Sequence, residues 1–247
     1  MDANSISLSY PIGAARRSPH ARRWLLAALA CCLLGIVSFS IDLPASSWMR
    51  SHPAGDGAVK LLTISEVFSH GAGVALILLA VAVLDGRSRR RLPRAAAIAF
   101  GAGLMSNVGK LWLARWRPRS FPGDGTVWDT FHGWLPWIER AASAGESRWG
   151  SQLQSFPSSH AATGIGLAIA LTWLYPQGRW LFAALATLAA IQRIDAGAHY
   201  PSDVWFGAAI GCLTSAALLG DNWLSRRFAR WESRPAGEKA AASRAAA

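Results

Sequence analysis

Cysteine is scarce in this chain, which has three cysteines among 247 residues. Cys31, Cys32 and Cys212 all lie inside apolar segments, where free thiols behave as small packing residues. Their spacing matches neither a disulfide framework nor the ligand pattern of a metal site. The sequence also lacks internal repeats, and its one low-complexity tract is the alanine-rich tail after Arg234. These features argue against a disulfide-stapled scaffold, a repeat protein and a cysteine-ligated metal domain.

Charged residues are also few, at 16% of the chain, and they divide unevenly into 25 basic and 14 acidic residues. Apolar residues make up 52%, and the mean hydropathy is positive. A bilayer core about 30 Å thick needs roughly 20 mostly apolar residues per helix, and the chain offers such stretches repeatedly. The net charge of +11 would suggest nucleic acid in a soluble protein, but basic residues also collect in the cytoplasmic loops of membrane proteins. We therefore expect a membrane protein with no nucleic-acid partner.

Apolar segments predict an all-α, polytopic membrane bundle of about six transmembrane helices. The first segment follows basic residues, as in a secretory signal, but it is long for that role and no clear small-residue cleavage site follows, so we expect an uncleaved helix. The expected organisation is a cytoplasmic segment (1–23), a six-span domain (24–220) and a basic cytoplasmic tail (221–247). The predicted spans are approximately 24–41, 67–84, 95–116, 159–174, 180–191 and 203–219.

The distribution of basic residues predicts the orientation in the membrane. Of the 25 Lys and Arg residues, 16 lie in the N-terminal segment, the loop 86–94, the turn 176–179 and the tail. Because basic loops stay in the cytoplasm, we expect both termini there, in a bacterial inner membrane. The polar connection 119–156 then lies on the non-cytoplasmic side. Its tryptophans suit the headgroup layer; they are Trp128, Trp134, Trp137 and Trp149.

Two basic residues, Lys110 and Arg117, lie seven positions apart near the end of the third predicted span. At 3.6 residues per turn, this spacing is about two turns, so both side chains would share one helix face. Two cations on one face could receive an anion, although both could instead extend to lipid headgroups. Arg115 and Arg119 point elsewhere on the helix or beyond its end, and we interpret them as residues that extend to headgroups.

The second stretch, FPSSH, precedes the fourth span. Ser158 and Ser159 follow a proline and are good residues for capping a helix N-terminus. Such a terminus offers unpaired N–H groups and partial positive charge, which favour phosphate, although ordinary capping would also explain the serines. Capping does not explain His160, a titratable residue that enters an apolar helix, where polar groups are costly and usually functional.

The third stretch contains Arg193, His199 and Asp203 between the fifth and sixth spans. Asp203 lies four positions after His199, so it could accept a hydrogen bond from one imidazole nitrogen. Such a bond would fix the tautomer and leave the other nitrogen as a nucleophile. A structural pair, in which the two groups only satisfy each other, is the alternative. With Lys110 and His160 expected on the same membrane face, we favour the catalytic interpretation.

Together the three stretches resemble the signature motifs of the type 2 phosphatidic acid phosphatase (PAP2) superfamily, KxxxxxxRP, PSGH and SRxxxxxHxxxD. The order, spacing and placement agree, and the resemblance covers roughly residues 65–220. Two positions depart from the pattern, because Ser159 replaces the glycine of the second motif and Gln192 replaces the serine of the third. The corresponding residues are Lys110 with Arg117 and Pro118, Pro157 to His160, and Arg193 with His199 and Asp203.

The resemblance implies a helical core like that of the vanadium haloperoxidases, a role for each motif residue and no cofactor. His199 would attack phosphorus to form a phosphohistidine, and Asp203 would orient it. His160 would protonate the leaving oxygen and then activate water. A group of cations and helix-start residues would hold the phosphoryl oxygens without a metal ion; these are Lys110, Arg117, Arg193, Ser158 and Ser159.

The predicted function is hydrolysis of a lipid phosphate. The candidate substrates are polyprenyl (undecaprenyl) diphosphate, phosphatidylglycerol phosphate, phosphatidic acid and the phosphates of lipid A. A phosphotransferase that passes the same phosphoryl group to another lipid is the nearest alternative. From a different class, an anion transporter or a lipid-binding protein would use the cations for attraction alone. The motif set also occurs in haloperoxidases, but six spans favour a lipid substrate. The expected partners are the lipid phosphate and surrounding membrane lipids.

Overall fold

The computed structural model describes residues 19–122, 125–135 and 150–233. Most of the predicted N-terminal segment and the end of the basic tail lie outside these ranges, as do Trp137 and Trp149 of the long connection. Within the described residues, helices form nearly all of the regular structure.

Helices occur wherever the apolar segments predicted them. The predicted fourth span matches its helix at both ends, because Ser158 caps the start and Pro176 follows the end. The helices are α1 (Pro19–Ser38), α2 (Asp42–Ser51), α3 (Asp56–Ser65), α4 (Gly71–Leu84), α5 (Leu92–Trp112), α6 (Ser159–Leu174), α7 (Arg179–Asp195), α8 (Pro201–Leu219) and α9 (Trp223–Glu232).

Helix α6 occupies the centre of the bundle and packs against α5, α7 and α8, while α1 packs along α8. Small residues allow this close approach. A Cβ added at Gly207 of α8 would lie 2.3 Å from the carbonyl oxygen of Ser158, and one added at Gly211 would lie 2.8 Å from that of Ala162. The glycines of α8 therefore set how closely the helix that starts at FPSSH can approach.

Two of the described helices, α1 over Ala21–Ser38 and α8, are each long and apolar enough to cross a membrane. The pair formed by Asp56–Phe68 and Gly71–Leu84 also passes when counted as one span, although it is bent by 66°. Helix α6 is apolar but shorter. By length and hydropathy the described chain thus has two or three candidate spans, and the number six remains a prediction.

The predicted third span extends too far. Helix α5 ends at Trp112, and the chain continues as strand β1 (Leu113–Arg115), which pairs antiparallel with β2 (Phe131–Trp134). Extended backbone advances about 3.3 Å per residue, against 1.5 Å in a helix. The spacing predicted that Lys110 and Arg117 share a helix face, and this prediction is wrong. Arg117 instead lies in extended backbone, where its N–H donates to the carbonyl oxygen of Gln152 at 2.7 Å.

Candidate active site

The three motifs meet at one end of the bundle. Lys110 lies in the last turn of α5, His160 in the first turn of α6, and Arg193 in the last turn of α7. The positive charges of Arg193 and Lys110 both act on the His160 imidazole. Those of Lys110 and Arg117 act on His199. The two imidazoles therefore lie in the electrostatic field of one cluster of cations.

A tight turn after α7 positions His199. The carbonyl oxygen of Arg193 accepts hydrogen bonds from the N–H groups of Ala198 and His199, each at 3.1 Å. Gly197 in this turn has a φ of 59°, a left-handed conformation that glycine adopts without steric cost. Its carbonyl oxygen accepts from the N–H of Arg119 at 3.0 Å, which ties the residue directly after the first motif to the third motif.

The His199 ring is buried, and its Nδ1 lies 2.6 Å from the carbonyl oxygen of Ser155. A carbonyl oxygen can only accept, so Nδ1 carries the proton and Nε2 keeps a free lone pair. Burial lowers the pKa of His199, and the nearby carboxylate of Asp203 opposes this shift. The side chain therefore has the neutral tautomer that a nucleophile requires.

The expected hydrogen bond from His199 to Asp203 is replaced by this bond to Ser155. The Oδ2 atom of Asp203 lies 3.8 Å from Nδ1 of His199, which is too long for a hydrogen bond. Oδ2 instead accepts from the Ser155 hydroxyl at 2.6 Å and the Tyr200 N–H at 2.8 Å. Asp203 thus acts on His199 through charge and through Ser155.

Arg115 is fully buried, so its predicted position among lipid headgroups is wrong. Its guanidinium forms ion pairs with Asp203 and with Asp42 at the start of α2, the latter at 2.6 Å. It also donates to Thr130 at 3.0 Å and to Ser202 at 2.7 Å. An unpaired charge would be costly to bury. The two carboxylates compensate the charge of Arg115 and so allow it to lie in the interior. Asp42 and Arg115 are 73 residues apart, and no local pattern indicates their pairing.

The start of α6 is attached directly to this network. Ser158 caps the helix by accepting from the N–H of Ala161 at 3.3 Å, and its own N–H donates to the Asp203 carbonyl oxygen at 3.0 Å. The hydroxyl of Ser159 donates to Asn107 of α5 at 2.6 Å. The Ser159 side chain is therefore engaged with α5, whereas Ser158 lies beside the backbone of Asp203.

The predicted phosphate-binding cations differ in how far their charge is already compensated. Arg193 donates from Nε to the side chain of Gln192 and forms an ion pair at 2.8 Å with Glu66. Gln192, where the family motif has serine, thus orients Arg193. The buried Nε of Arg117 has no hydrogen-bond partner among the described residues. Such a donor is costly to leave unpaired, so Arg117 is suited to bind an anion.

Glu66 is, after Asp42, a second acidic residue that the sequence did not indicate. It begins a short 3-10 turn, Glu66–Phe68, between α3 and α4, and its carboxylate also lies 3.7 Å from Nε2 of His160. In the part of the chain that the structure describes, no group of three or more His, Cys, Asp or Glu side chains is arranged to hold a metal ion. Metal-independent chemistry remains a prediction.

The PAP2 superfamily profile matches residues 92–227, which is more than half of the chain and includes all three motifs. The chain belongs to the PAP2 superfamily. Asp42 and Glu66 both lie before the matched segment. The PAP2 segment therefore completes its charge network with residues from outside its own boundaries.

Two curated relatives show how far the PAP2 similarity extends. Lipid A 1-phosphatase of Rhizobium etli is 34% identical over 110 residues, which cover 44% of this chain and 41% of the relative. Undecaprenyl-diphosphatase BcrC of Bacillus subtilis is 31% identical over 146 residues, which cover 59% of this chain and 63% of the relative. Each match spans less than two thirds of the relative's length.

The chain also aligns with a solved structure. The PAP2-type phosphatidylglycerolphosphate phosphatase of Bacillus subtilis aligns with a TM-score of 0.49 and 17% identity, covering 81% of this chain and 92% of that one.

Proposed function

We propose that this PAP2 protein hydrolyses a phosphomonoester or diphosphate of a lipid through a phosphohistidine intermediate on His199. The observation that carries the proposal is the His199 tautomer, with Nδ1 committed to Ser155 and the lone pair left on Nε2, in a ring on which the charges of Lys110 and Arg117 act. A transporter needs the cations alone and has no use for an imidazole held in this state. The names of the two curated relatives, both lipid phosphatases, support the same reaction.

In the first step, Nε2 of His199 attacks phosphorus as the bond from phosphorus to the lipid oxygen breaks. The leaving oxygen takes a proton from His160. Lys110, Arg117 and Arg193 hold the phosphoryl oxygens, whose charge shifts in the transition state. The positive charge that forms on His199 is balanced by Asp203, which lies 3.8 Å from its Nδ1.

In the second step, the neutral His160 takes a proton from water, and the resulting oxygen attacks phosphorus. The bond from phosphorus to His199 breaks, inorganic phosphate leaves, and His160 is protonated again for the next substrate. Ser158 and the N–H groups at the start of α6 supply donors for the phosphoryl oxygens in both steps. We assign Ser159 to the same group through its backbone, because its hydroxyl donates to Asn107.

The lipid tail would remain among the helices while the head enters from the end of the bundle where the motifs meet. The bias of basic residues supports a six-span arrangement with both termini in the cytoplasm and this end on the periplasmic face of an inner membrane. The relatives make a lipid A phosphate and undecaprenyl diphosphate the first substrates to test.

The test is phosphate release by protein purified in detergent, with and without a metal chelator. We expect inorganic phosphate from at least one of the two lipids, no release by His199→Ala, and full release by His52→Ala, which removes an exposed histidine of another helix end. Labelled substrate should leave an acid-labile label on the wild-type protein. Full turnover by His199→Ala would overturn the proposal, and label transferred to a second lipid would identify a phosphotransferase.

A further inference from the structure

A carboxylate oxygen occupies the gap between two groups that the proposed function assigns to substrate. Oε1 of Glu66 lies 2.8 Å from Nη2 of Arg193 and 3.7 Å from Nε2 of His160. In the proposed reaction, Arg193 binds a phosphoryl oxygen and His160 protonates the leaving oxygen. The carboxylate oxygen therefore pairs with Arg193 and lies close to His160, in the region where the oxygens of a bound phosphate ester are expected.

Glu66 and a bound phosphate would repel each other at this distance, since both are anions in a partly desolvated site. The position of Glu66 would also allow its side chain to move away from Arg193. Its side chain is 29% exposed, and it lies on a short 3-10 turn at the 66° bend between α3 and α4. Asp203, by contrast, is fully buried and held by Arg115, Ser155 and Tyr200.

We propose that Glu66 competes with the phosphate group for Arg193, so that substrate displaces its carboxylate and the carboxylate in turn helps to expel inorganic phosphate. This inference rests on the proposed function, which places phosphate at Arg193. It makes Glu66 a determinant of affinity. A substrate head must bind Lys110, Arg117 and Arg193 strongly enough to replace an existing ion pair.

The test measures the binding of inorganic phosphate to the whole protein in neutral detergent by calorimetry. We expect Glu66→Gln, which removes the charge and keeps the shape, to bind phosphate about tenfold more tightly than wild type. The KM for the lipid should fall in parallel. Asp221→Asn is the matched control, because it neutralises a carboxylate paired with Arg226 at an exposed site and should leave phosphate affinity unchanged.

Glu66→Ala provides a second variant if the glutamine protein folds poorly. Equal or weaker phosphate binding in the Glu66 variants, with wild-type binding that depends on Lys110, would overturn the competition and leave the proposed function standing. If Lys110→Ala does not affect phosphate binding in any background, the proposed function fails and this inference fails with it.

A second, independent observation concerns α9 at the other end of the bundle. One face of this amphipathic helix is fixed by Arg94 of α5, which donates to the Ser225 carbonyl oxygen at 2.9 Å and pairs with Glu232 at 2.9 Å. The opposite face exposes Trp223 and Trp231, at 66% and 46%. Two large aromatic side chains exposed on one helix face indicate an interaction site for an apolar partner.

Basic residues surround these tryptophans. Arg227 and Arg230 have no acidic partner among the described residues, while Arg226 is already paired with Asp221 at 3.1 Å. An open cavity of about 700 Å³ lies between α9 and the start of α5; its lining includes Pro93, Trp223, Leu224, Arg227, Arg230 and Trp231. Arginines beside exposed tryptophans match an anionic headgroup above acyl chains.

The structure assigns this cavity to an anionic phospholipid, whose phosphate would bind Arg227 and Arg230 while its upper acyl chain contacts Trp223 and Trp231. Lys110, the first motif residue, lies about 24 Å along α5 from Arg94, since a helix rises 1.5 Å per residue. The site would thus anchor to the membrane the end of the bundle opposite the motif residues.

The test measures the unfolding temperature in neutral detergent after addition of phosphatidylglycerol or phosphatidylcholine with the same chains. We expect a rise of several degrees with phosphatidylglycerol only, loss of that rise in Arg227→Gln/Arg230→Gln, and an unchanged rise in Arg226→Gln. An equal rise with phosphatidylcholine, or a full rise in the double variant, would overturn the assignment. So would a rise that occurs only after removal of residues 234–247, because the tail would then be the occupant.

Discussion

Nη2 of Arg115 lies 2.6 Å from Oδ2 of Asp42, and neither side chain has any contact with solvent. The same guanidinium pairs with Asp203, whose other oxygen accepts from Ser155. The backbone carbonyl oxygen of Ser155 in turn accepts a hydrogen bond from Nδ1 of His199. A helix far from the motifs in sequence is thereby linked to the proposed nucleophile through buried polar contacts.

Removing Arg115 should leave two buried carboxylates without a counter-charge. Breaking a buried pair by removing one partner costs about 3–5 kcal/mol, so we expect Arg115→Gln to lower the free energy of unfolding by about that amount. Chemical denaturation in detergent measures the change. Asp221→Asn, which breaks an exposed ion pair, should change it by less than about 1 kcal/mol. Similar effects of both variants would contradict the structural importance of the network.

The buried His199 should make stability depend on pH in the acidic range. Its pKa is lowered in the folded protein by burial, whereas an unfolded histidine titrates near 6.5. The unfolded chain therefore takes up this proton first as the pH falls, so stability is retained above about pH 6.5 and lost below it. Comparing unfolding of the wild type and His199→Gln between pH 8 and 5 isolates this contribution. The variant should lack part of the wild-type loss, and identical pH dependences would refute the prediction.

The proposed role of His160 as a general acid predicts a dependence on the leaving group. A positioned acid contributes about 10²–10⁴-fold to a rate, so His160→Ala should slow hydrolysis of a lipid phosphate by about that factor. An aryl phosphate with an acidic leaving group needs little protonation and should be slowed much less in its first step. Single-turnover formation of the labelled enzyme measures that step. Equal slowing for both substrates would mean that His160 does not protonate the leaving oxygen.

The contact between α8 and α6 predicts that Gly207→Ala will impair the protein. The new Cβ would lie 2.3 Å from the carbonyl oxygen of Ser158, so α6 must shift away from the backbone of Asp203. Overpacking of this kind costs about 1–3 kcal/mol, and phosphatase activity should fall with it. Gly57→Ala is the matched control, because nothing lies within 4 Å of its Cβ. A Gly207→Ala protein with normal stability and activity would contradict this packing.

Local patterns predicted a helix in each of the six apolar segments, whereas α2, α3 and α9 lie outside the predicted spans. The Ser158 cap and the apolar run predicted the bounds of α6, and motif spacing selected the residues that the fold brings to one end of the bundle. The failures have a common physical cause. The apolar run predicted a helix through Trp116, but ladder pairing with β2 and the ion pairs of Arg115 determine the backbone after Trp112.

The acidic residues were missed for the same reason. Asp42 and Glu66 stand in segments with no motif, and each acquires its role only from an arginine far along the chain, Arg115 or Arg193. The hydrogen bond from His199 to Ser155 was equally hidden, because its acceptor is a backbone carbonyl, which every residue possesses. Sequence patterns identify side chains with special chemistry, whereas these partners are selected by tertiary proximity alone.

The placement of Asp42 ahead of the segment that defines the superfamily makes the reactive half of the molecule inseparable from its amino-terminal helices. A fragment or chimera beginning at Leu92 would inherit every signature residue and still lack one of the two carboxylates that neutralise Arg115. A chimera that contains the motif segment must therefore also include α2, or place another carboxylate at the position of Asp42.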